Sequence, residues 1–92
     1  MPNHRWSKED DIVAYYLYKW KTDSLGMETS DISNKLGMSE ASLKMRIGNF
    51  QAIDTKGGGG LEHYAQLSKE VYDEYKNVGK DEFLKEVKRI LK

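Results

Sequence analysis

Apolar residues recur at helical spacing in every segment of this chain, and this pattern constrains the fold more than any other feature. The stripe of the first segment consists of Ile12, Val13, Tyr16, Leu17 and Trp20. No segment alternates between apolar and polar residues for long, as a half-buried strand would. Because the only proline is Pro2, no ring interrupts the later segments. We therefore predict an all-α fold, a compact bundle of about five helices in a single domain over residues 1–92.

Capping residues and glycines give the predicted ends of these helices. Ser7 is a good N-cap for a first helix over residues 8–21, and the acidic residues after it suit the positive end of a helix dipole. Thr29 or Ser30 is the predicted cap of a short second helix over residues 30–36. The four consecutive glycines after Lys56 predict a loop over residues 56–60, because glycine-rich stretches do not hold a regular element. The other predicted helices begin after cap residues Ser39 and Ser68 and near Asp81, and they span residues 40–53, 68–77 and 81–91.

Composition excludes several classes of protein. A third of the residues are charged and no run approaches the roughly 18 apolar residues of a membrane span, so we predict a water-soluble domain with no membrane partner. Cysteine is absent, which excludes disulfides and thiolate metal sites and makes a cytoplasmic location the default expectation. Fifteen basic residues balance fifteen acidic ones, which argues against strong nonspecific binding of nucleic acid.

Residues 29–54 carry the pattern of a helix-turn-helix. Such a corner needs a small residue in its first helix, a glycine in the turn and apolar residues that hold the two helices at a steep angle. Ser33 is the small residue and Gly37 makes the turn, while Leu43 anchors the following helix. One position departs from the usual pattern, since Arg46 stands where an apolar anchor is expected and Ile47 follows it. Helix-glycine-helix corners also occur in all-α proteins that never bind DNA, so the pattern alone leaves both interpretations open.

The outward face of the predicted third helix suggests contacts with double-stranded DNA. Basic side chains pair with guanine and carboxamides pair with adenine in the major groove, whereas hydroxyls and lysines bind phosphates. An ordinary solvated face also contains such residues, and from residue 27 to residue 58 four basic side chains are matched by four acidic ones. We therefore predict weak binding with a shallow salt dependence. The predicted DNA-binding residues are Ser42, Lys44, Arg46, Asn49 and Gln51 on the helix, with Lys35, Thr55 and Lys56 beside it.

Several residue pairs between residues 41 and 75 resemble a known family. In order, they are Ser42-Leu43, Met45-Arg46-Ile47, Asn49-Phe50, Ile53-Asp54, Gly60-Leu61 and Val71-Tyr72. The stretch resembles the N-terminal domain of bacterial HNH-type restriction endonucleases, and residues 5–77 as a whole follow it. The resemblance implies a DNA-recognition module that stands alone here, without the nuclease half. The glycine run replaces a more varied loop of that family, and residues 78–92 fall outside the resemblance.

Catalysis and cofactors find little support in the sequence. The only histidines are His4 and His63, and the set of His and Asn ligands that a single-metal nuclease needs is missing. The glycine run lacks the Lys and Ser/Thr of a phosphate-binding loop. We therefore predict no enzyme activity, no metal site and no cofactor.

The C-terminal helix leaves a second function class open. Its apolar stripe either closes the core of the domain or binds a second copy or another protein. The alternative to a DNA-binding regulator associated with transcription, restriction or a mobile element is thus a protein-interaction module, such as a small inhibitor. Tyr15 and Tyr18 lie outside the apolar stripe of the first helix, and the sequence does not decide whether they belong to the core or to a surface that binds a partner. The stripe of the last helix comprises Phe83, Leu84, Val87, Ile90 and Leu91.

Overall fold

A computed structural model of the chain describes residues 6–55 and 66–92. These residues form five helices and no strand, which confirms the all-α prediction. The helices are α1 (Lys8–Trp20), α2 (Thr29–Leu36), α3 (Glu40–Thr55), α4 (Gln66–Tyr75) and α5 (Lys80–Leu91). The predicted loop over residues 56–60 and Lys56 lie outside the described residues.

Two of the predicted caps are present. The Ser7 hydroxyl accepts the amide of Asp10 at 3.2 Å, and the Asp10 carboxylate accepts the amide of Ser7 at 3.1 Å, which forms a capping box. At the start of α3 the Ser39 hydroxyl accepts the amide of Ser42 at 3.1 Å. Each bond satisfies one of the amides that the first turn of a helix leaves unpaired.

Two other caps differ from the prediction. The N-cap of α2 is Glu28, because its backbone is extended and its carbonyl already accepts the amide of Ile32 at 3.1 Å. Ser68 is not a cap of α4, since the helix begins at Gln66 and encloses Ser68 as a fully buried residue. The hydroxyl of Ser68 serves a carboxylate of α1 instead of the backbone of its own helix.

The corner between α2 and α3 depends on Gly37. This residue has a φ of 79° and a ψ of 30°, the left-handed conformation that glycine adopts without steric cost. The amide of Met38 then donates to the carbonyl of Ser33 at 3.0 Å, and the Met38 side chain is buried in the corner. The predicted break between two helices at this glycine is confirmed.

Helix α1 is the centre of the bundle and packs against α3, α4 and α5. Asp11 contacts Arg46, and one turn later in both helices Tyr15 contacts Phe50, so α1 and α3 run in parallel. The contacts of α5 with α1 run in the opposite order, from Lys80 with Asp23 to Arg89 with Glu9. Helix α2 contacts only α3 and α5 to a substantial extent, which leaves one side of the corner outside the bundle.

Aromatic side chains fill much of the core. The ring of Tyr15 stacks on Phe50 with centroids 4.8 Å apart, so Tyr15 belongs to the core rather than to a partner surface. Tyr16 is fully buried as predicted, whereas Trp20 is half-buried against the ring of Phe83. Across residues 6–55 and 66–92, none of the helices combines the length and apolar character needed to cross a membrane.

Candidate nucleic-acid interface

Helix α3 turns one face to the core and the opposite face to solvent. Leu43, Phe50 and Ile53 are buried, while Ile47 is only half-buried. The inward positions therefore fall at residues 43, 46, 50 and 53, a helical spacing that includes Arg46. The solvent-exposed residues of this helix are Glu40, Ala41, Lys44, Met45, Gly48, Gln51, Asp54 and Thr55.

Lys44 is the one cation that the sequence placed on this face and that the structure leaves open to solvent. Its side chain is 67% exposed, and its ammonium nitrogen lies 3.8 Å from a carboxylate oxygen of Glu40 one turn earlier. An exposed pair at this distance contributes little and is easily replaced by another anion. Lys44 is thus able to leave Glu40 for a ligand.

Arg46 is placed differently from Lys44, although the sequence assigned both to DNA. Its side chain is 13% exposed, and the guanidinium binds Asp11 of α1 through two bonds, from Nε to Oδ1 at 2.6 Å and from Nη2 to Oδ2 at 2.7 Å. The ring of Trp6 covers the guanidinium at 4.3 Å from its centroid. Since Nε and Nη2 are bound to Asp11 and Trp6 covers the guanidinium, Arg46 is positioned to hold α1 and α3 together and not to read a base.

The partner of Arg46 was missed from the sequence. Asp11 is fully buried, and its Oδ1 also accepts the hydroxyl of Ser68 on α4 at 3.0 Å. In the sequence Asp11 follows Glu9 and Asp10 in the first turn of α1, where acidic residues interact favourably with the helix dipole. The available signals were that Arg46 occupies an anchor position and that Asp11 lies one turn before Tyr15. A cation at an expected apolar position needs a buried anion as its partner.

Ser42 and Asn49 line a recess of about 180 Å³ beside Trp6 and Met45. The Ser42 hydroxyl oxygen accepts a bond from the hydroxyl of Ser39 at 3.0 Å, and the Asn49 amide nitrogen donates to the carbonyl of Met45 at 3.3 Å. Both residues are half-buried. Met45, by contrast, is 75% exposed and is the most prominent apolar side chain on this face.

The remaining predicted residues lie at the edges of the face. Gln51 is exposed near the end of α3, and its carbonyl accepts the hydroxyl of Thr55 at 2.7 Å. That internal bond engages the proton that Thr55 would donate to a phosphate. Lys35 is exposed in the last turn of α2 and has no ion pair among the described residues.

A groove of about 510 Å³ adjoins this face, where the end of α1 and the start of α2 meet α3. Its polar lining contains the side chains of Tyr18, Lys21, Thr22, Thr29, Lys44 and Gln51. We call it the α1–α3 groove. Within the part of the chain that the structure describes, no carboxylate lines it.

Asp54 closes the C-terminal half of the contact between α1 and α3. Its two carboxylate oxygens accept the hydroxyls of Tyr18 at 2.8 Å and of Tyr72 at 3.1 Å. Burial, and then the bond to Asp54, raise the pKa of Tyr18 to about 12. The carboxylate is therefore bound by neutral donors, and Tyr18 belongs to this internal network.

Residues that hold metals in other proteins do not converge in the described ranges, where no group of three or more His, Asp or Glu side chains has a suitable arrangement. Comparison of the chain with protein families, curated proteins and solved structures gives no match. The resemblance to the N-terminal domain of HNH-type restriction endonucleases therefore stays a prediction.

Proposed function

We propose that this chain is a DNA-binding helix-turn-helix module that places α3 in the major groove of a duplex. The observation that carries the proposal is the α2–Gly37–α3 corner, which projects α3 with a polar outer face while its inner face is fixed by the core. A B-form major groove is wide enough to admit one α-helix presented in this way. The resemblance to a family of DNA-recognition domains favours the same ligand.

Direct readout falls to the exposed polar side chains of α3. Lys44 is suited to guanine, whose O6 and N7 accept bonds, and Gln51 is suited to adenine. Met45 supplies an apolar contact of the kind that recognises a thymine methyl group. Ser42 and Asn49 lie at the margin of the same face, and Lys35 is placed to bind a phosphate.

Arg46 has a supporting role in this proposal. Its guanidinium is committed to Asp11, so it fixes the orientation of α3 without contacting DNA. Few cations remain on the contact surface, and each phosphate neutralised adds about 0.9 to the slope of log affinity against log salt. We therefore expect weak binding, with a slope well below that of a strongly basic domain. No catalytic step is part of the proposal.

The test is selection of duplexes from a random library, followed by binding measurements on the selected sequence. Lys44→Ala and Gln51→Ala are expected to weaken binding by about 1–3 kcal/mol each and to relax the preference at one base position. Lys88→Ala is the control, because Lys88 is an exposed lysine of α5 away from the corner. If no duplex is enriched, or if both α3 variants bind like the control, the proposal is wrong.

A second candidate function is a protein-interaction module, favoured by the exposure of Met45 beside Trp6. Exposed methionine suits adaptable apolar contacts with a protein surface. The two functions respond differently to Met45→Gln, a substitution of similar length. If the chain binds DNA, the variant prefers a different base at one position of the duplex. If the chain is a protein-interaction module, the variant no longer binds the protein partner, and neither the variant nor the wild-type protein binds DNA.

A further inference from the structure

We propose that the α1–α3 groove is a phosphate site, and that its ligand is a backbone phosphate of the duplex whose major groove receives α3. The proposal rests on the proposed function for the source of the phosphate, but the site itself is inferred from its own side chains. The groove is lined by two ammonium groups, three hydroxyls and one carboxamide, from Lys21, Lys44, Tyr18, Thr22, Thr29 and Gln51. The hydroxyl of Tyr18 already donates to Asp54, and Lys44 and Gln51 are assigned to bases. Lys21, Thr22 and Thr29 are therefore the donors proposed for phosphate oxygens.

Charge in the groove is of one sign. Among the described residues no carboxylate lines it, although Glu40 lies 3.8 Å from the ammonium of Lys44 and Asp54 accepts the hydroxyl of the lining residue Tyr18 at 2.8 Å. Lys21 is exposed and has no ion pair within residues 6–55 and 66–92. Two lysines elsewhere on the described chain pair with acidic residues, Lys69 with Asp73 and Lys80 with Asp23, whereas Lys21 has no such partner.

The backbone at Lys21 gives independent support. This residue has a φ of 56° and a ψ of −141°, a region that glycine enters freely and other residues rarely adopt. Glycine at this position would close α1 without strain, because it lacks the Cβ that conflicts there. The backbone thus holds Lys21 at the wall of the groove by its local conformation, at a cost in free energy that glycine would avoid.

Continuity with α3 gives the source of the phosphate. Lys44 and Gln51 belong both to the wall of the groove and to the outer face of α3. A duplex that contacts this face therefore brings its backbone to the groove, and Lys21 and Thr22 meet it from the end of α1. A free phosphate compound of similar size has the same chemistry and is the other source to be distinguished.

The decisive variant is Lys21→Gly, with Ser24→Gly as its matched control. Ser24 also has a positive φ, of 66°, in the same connection, but it does not line the groove. Both substitutions relieve backbone strain, so both are expected to raise the Tm by several degrees, on the order of 4–8 °C. Only Lys21→Gly is expected to lower the salt slope of duplex binding by about 0.9, the value for one lost phosphate contact.

A third variant, Glu40→Gln, is expected to strengthen duplex binding by roughly two- to fivefold, because it frees Lys44 from the carboxylate that pairs with it. Binding is measured by fluorescence anisotropy with the selected duplex between 50 and 200 mM salt. In parallel, inorganic pyrophosphate is titrated into ¹⁵N-labelled protein, and shifts of the amides of Thr22, Thr29 and Lys44 are followed.

The outcomes separate the site from the proposed function. A lower slope for Lys21→Gly alone supports both. Duplex binding with an unchanged slope in Lys21→Gly overturns the phosphate site and leaves the DNA-binding function in place. Pyrophosphate shifts confined to the groove in a protein that binds no duplex support the site with a free phosphate as ligand and overturn the DNA-binding function. Absence of both responses overturns both.

Discussion

The guanidinium of Arg46 and the carboxylate of Asp11 form a two-bond ion pair between α3 and α1, at 2.6 and 2.7 Å, with the carboxylate fully buried. Both oxygens of the carboxylate have partners. Oδ1 accepts Nε of Arg46 and the hydroxyl of Ser68, and Oδ2 accepts Nη2 of Arg46. Trp6 shields the pair from water on its outer side. Three segments distant in the chain thus meet at one carboxylate, and the orientation of α3 depends on it.

The first prediction concerns this pair. Asp11→Ala is expected to destabilise the fold by about 3–5 kcal/mol, since it leaves a guanidinium buried without an anion. The triple variant Asp11→Leu with Arg46→Met and Ser68→Ala is expected to recover most of that loss, because it removes both charges and also the buried hydroxyl that donates to Asp11. Urea unfolding followed by circular dichroism measures all three proteins.

The control for the first prediction is Glu9→Ala at the exposed pair of Glu9 and Arg89. This change is expected to leave the unfolding midpoint unaltered, because solvent screens the pair and Arg89 also binds Glu86. If Asp11→Ala unfolds at the same urea concentration as this control, the ion pair does not hold the helices together.

The sequence was sufficient to predict those parts of the fold that depend on local chemistry. The capping box at Ser7, the cap at Ser39 and the left-handed Gly37 all follow from neighbours within four residues. The anchor predicted at Leu43 is likewise fully buried.

Features that depend on distant residues were not accessible in the same way. Ser68 has the character of a cap in the sequence, but its partner is Asp11, on a different helix. Arg46 has the character of a DNA contact, and only the packing of α1 on α3 shows where its guanidinium lies. Tyr15 falls off the stripe of α1, yet it is buried because α1 is surrounded by three helices.

The second prediction compares the glycine of the corner with a glycine inside α3. Gly37→Ala is expected to lose about 1–2 kcal/mol of stability, because the φ of 79° is costly for a residue with a Cβ. Gly48→Ala is expected to gain about 0.5–1 kcal/mol, since Gly48 lies inside α3 and a Cβ there meets no atom within 4 Å. Thermal unfolding of both variants gives the two signs, and equal shifts in the same direction would show that the left-handed turn does not matter.

The third prediction concerns alkaline pH. The pKa of Tyr18 is about 12 in the folded protein, above its ordinary value near 10, so the folded state holds this proton more tightly than the unfolded state. The stabilisation is complete below pH 10 and is lost as the pH rises from 10 to 12. Urea midpoints measured across this range are expected to fall.

Tyr18→Phe is the matching variant for the alkaline prediction. It removes the titrating hydroxyl and its bond to Asp54, so the decline between pH 10 and 12 is expected to become shallower. Absorbance at 295 nm is expected to lose one ionisation near pH 12 in the same variant. An identical pH profile for the two proteins would contradict the contribution of Tyr18.

The fourth prediction separates the two uses of the C-terminal helix. Phe83, Val87 and Leu91 are buried, and the ring of Phe83 contacts those of Tyr16 and Tyr75 with centroids 5.6 and 5.0 Å apart. Phe83→Ala is therefore expected to lose about 3–5 kcal/mol, a large part of the stability of a domain of this size. Deletion of residues 80–92 removes all three side chains and is expected to prevent folding.

Lys85→Ala is the control for the fourth prediction, because Lys85 is an exposed residue of the same helix. It is expected to change stability by less than about 0.5 kcal/mol. Circular dichroism and sedimentation velocity distinguish the outcomes. An unfolded truncated chain shows that α5 completes the core of its own domain, as the burial of Phe83 implies. A truncated chain that stays folded, with a monomer replacing a dimer, would instead assign the apolar stripe of α5 to contact between two copies.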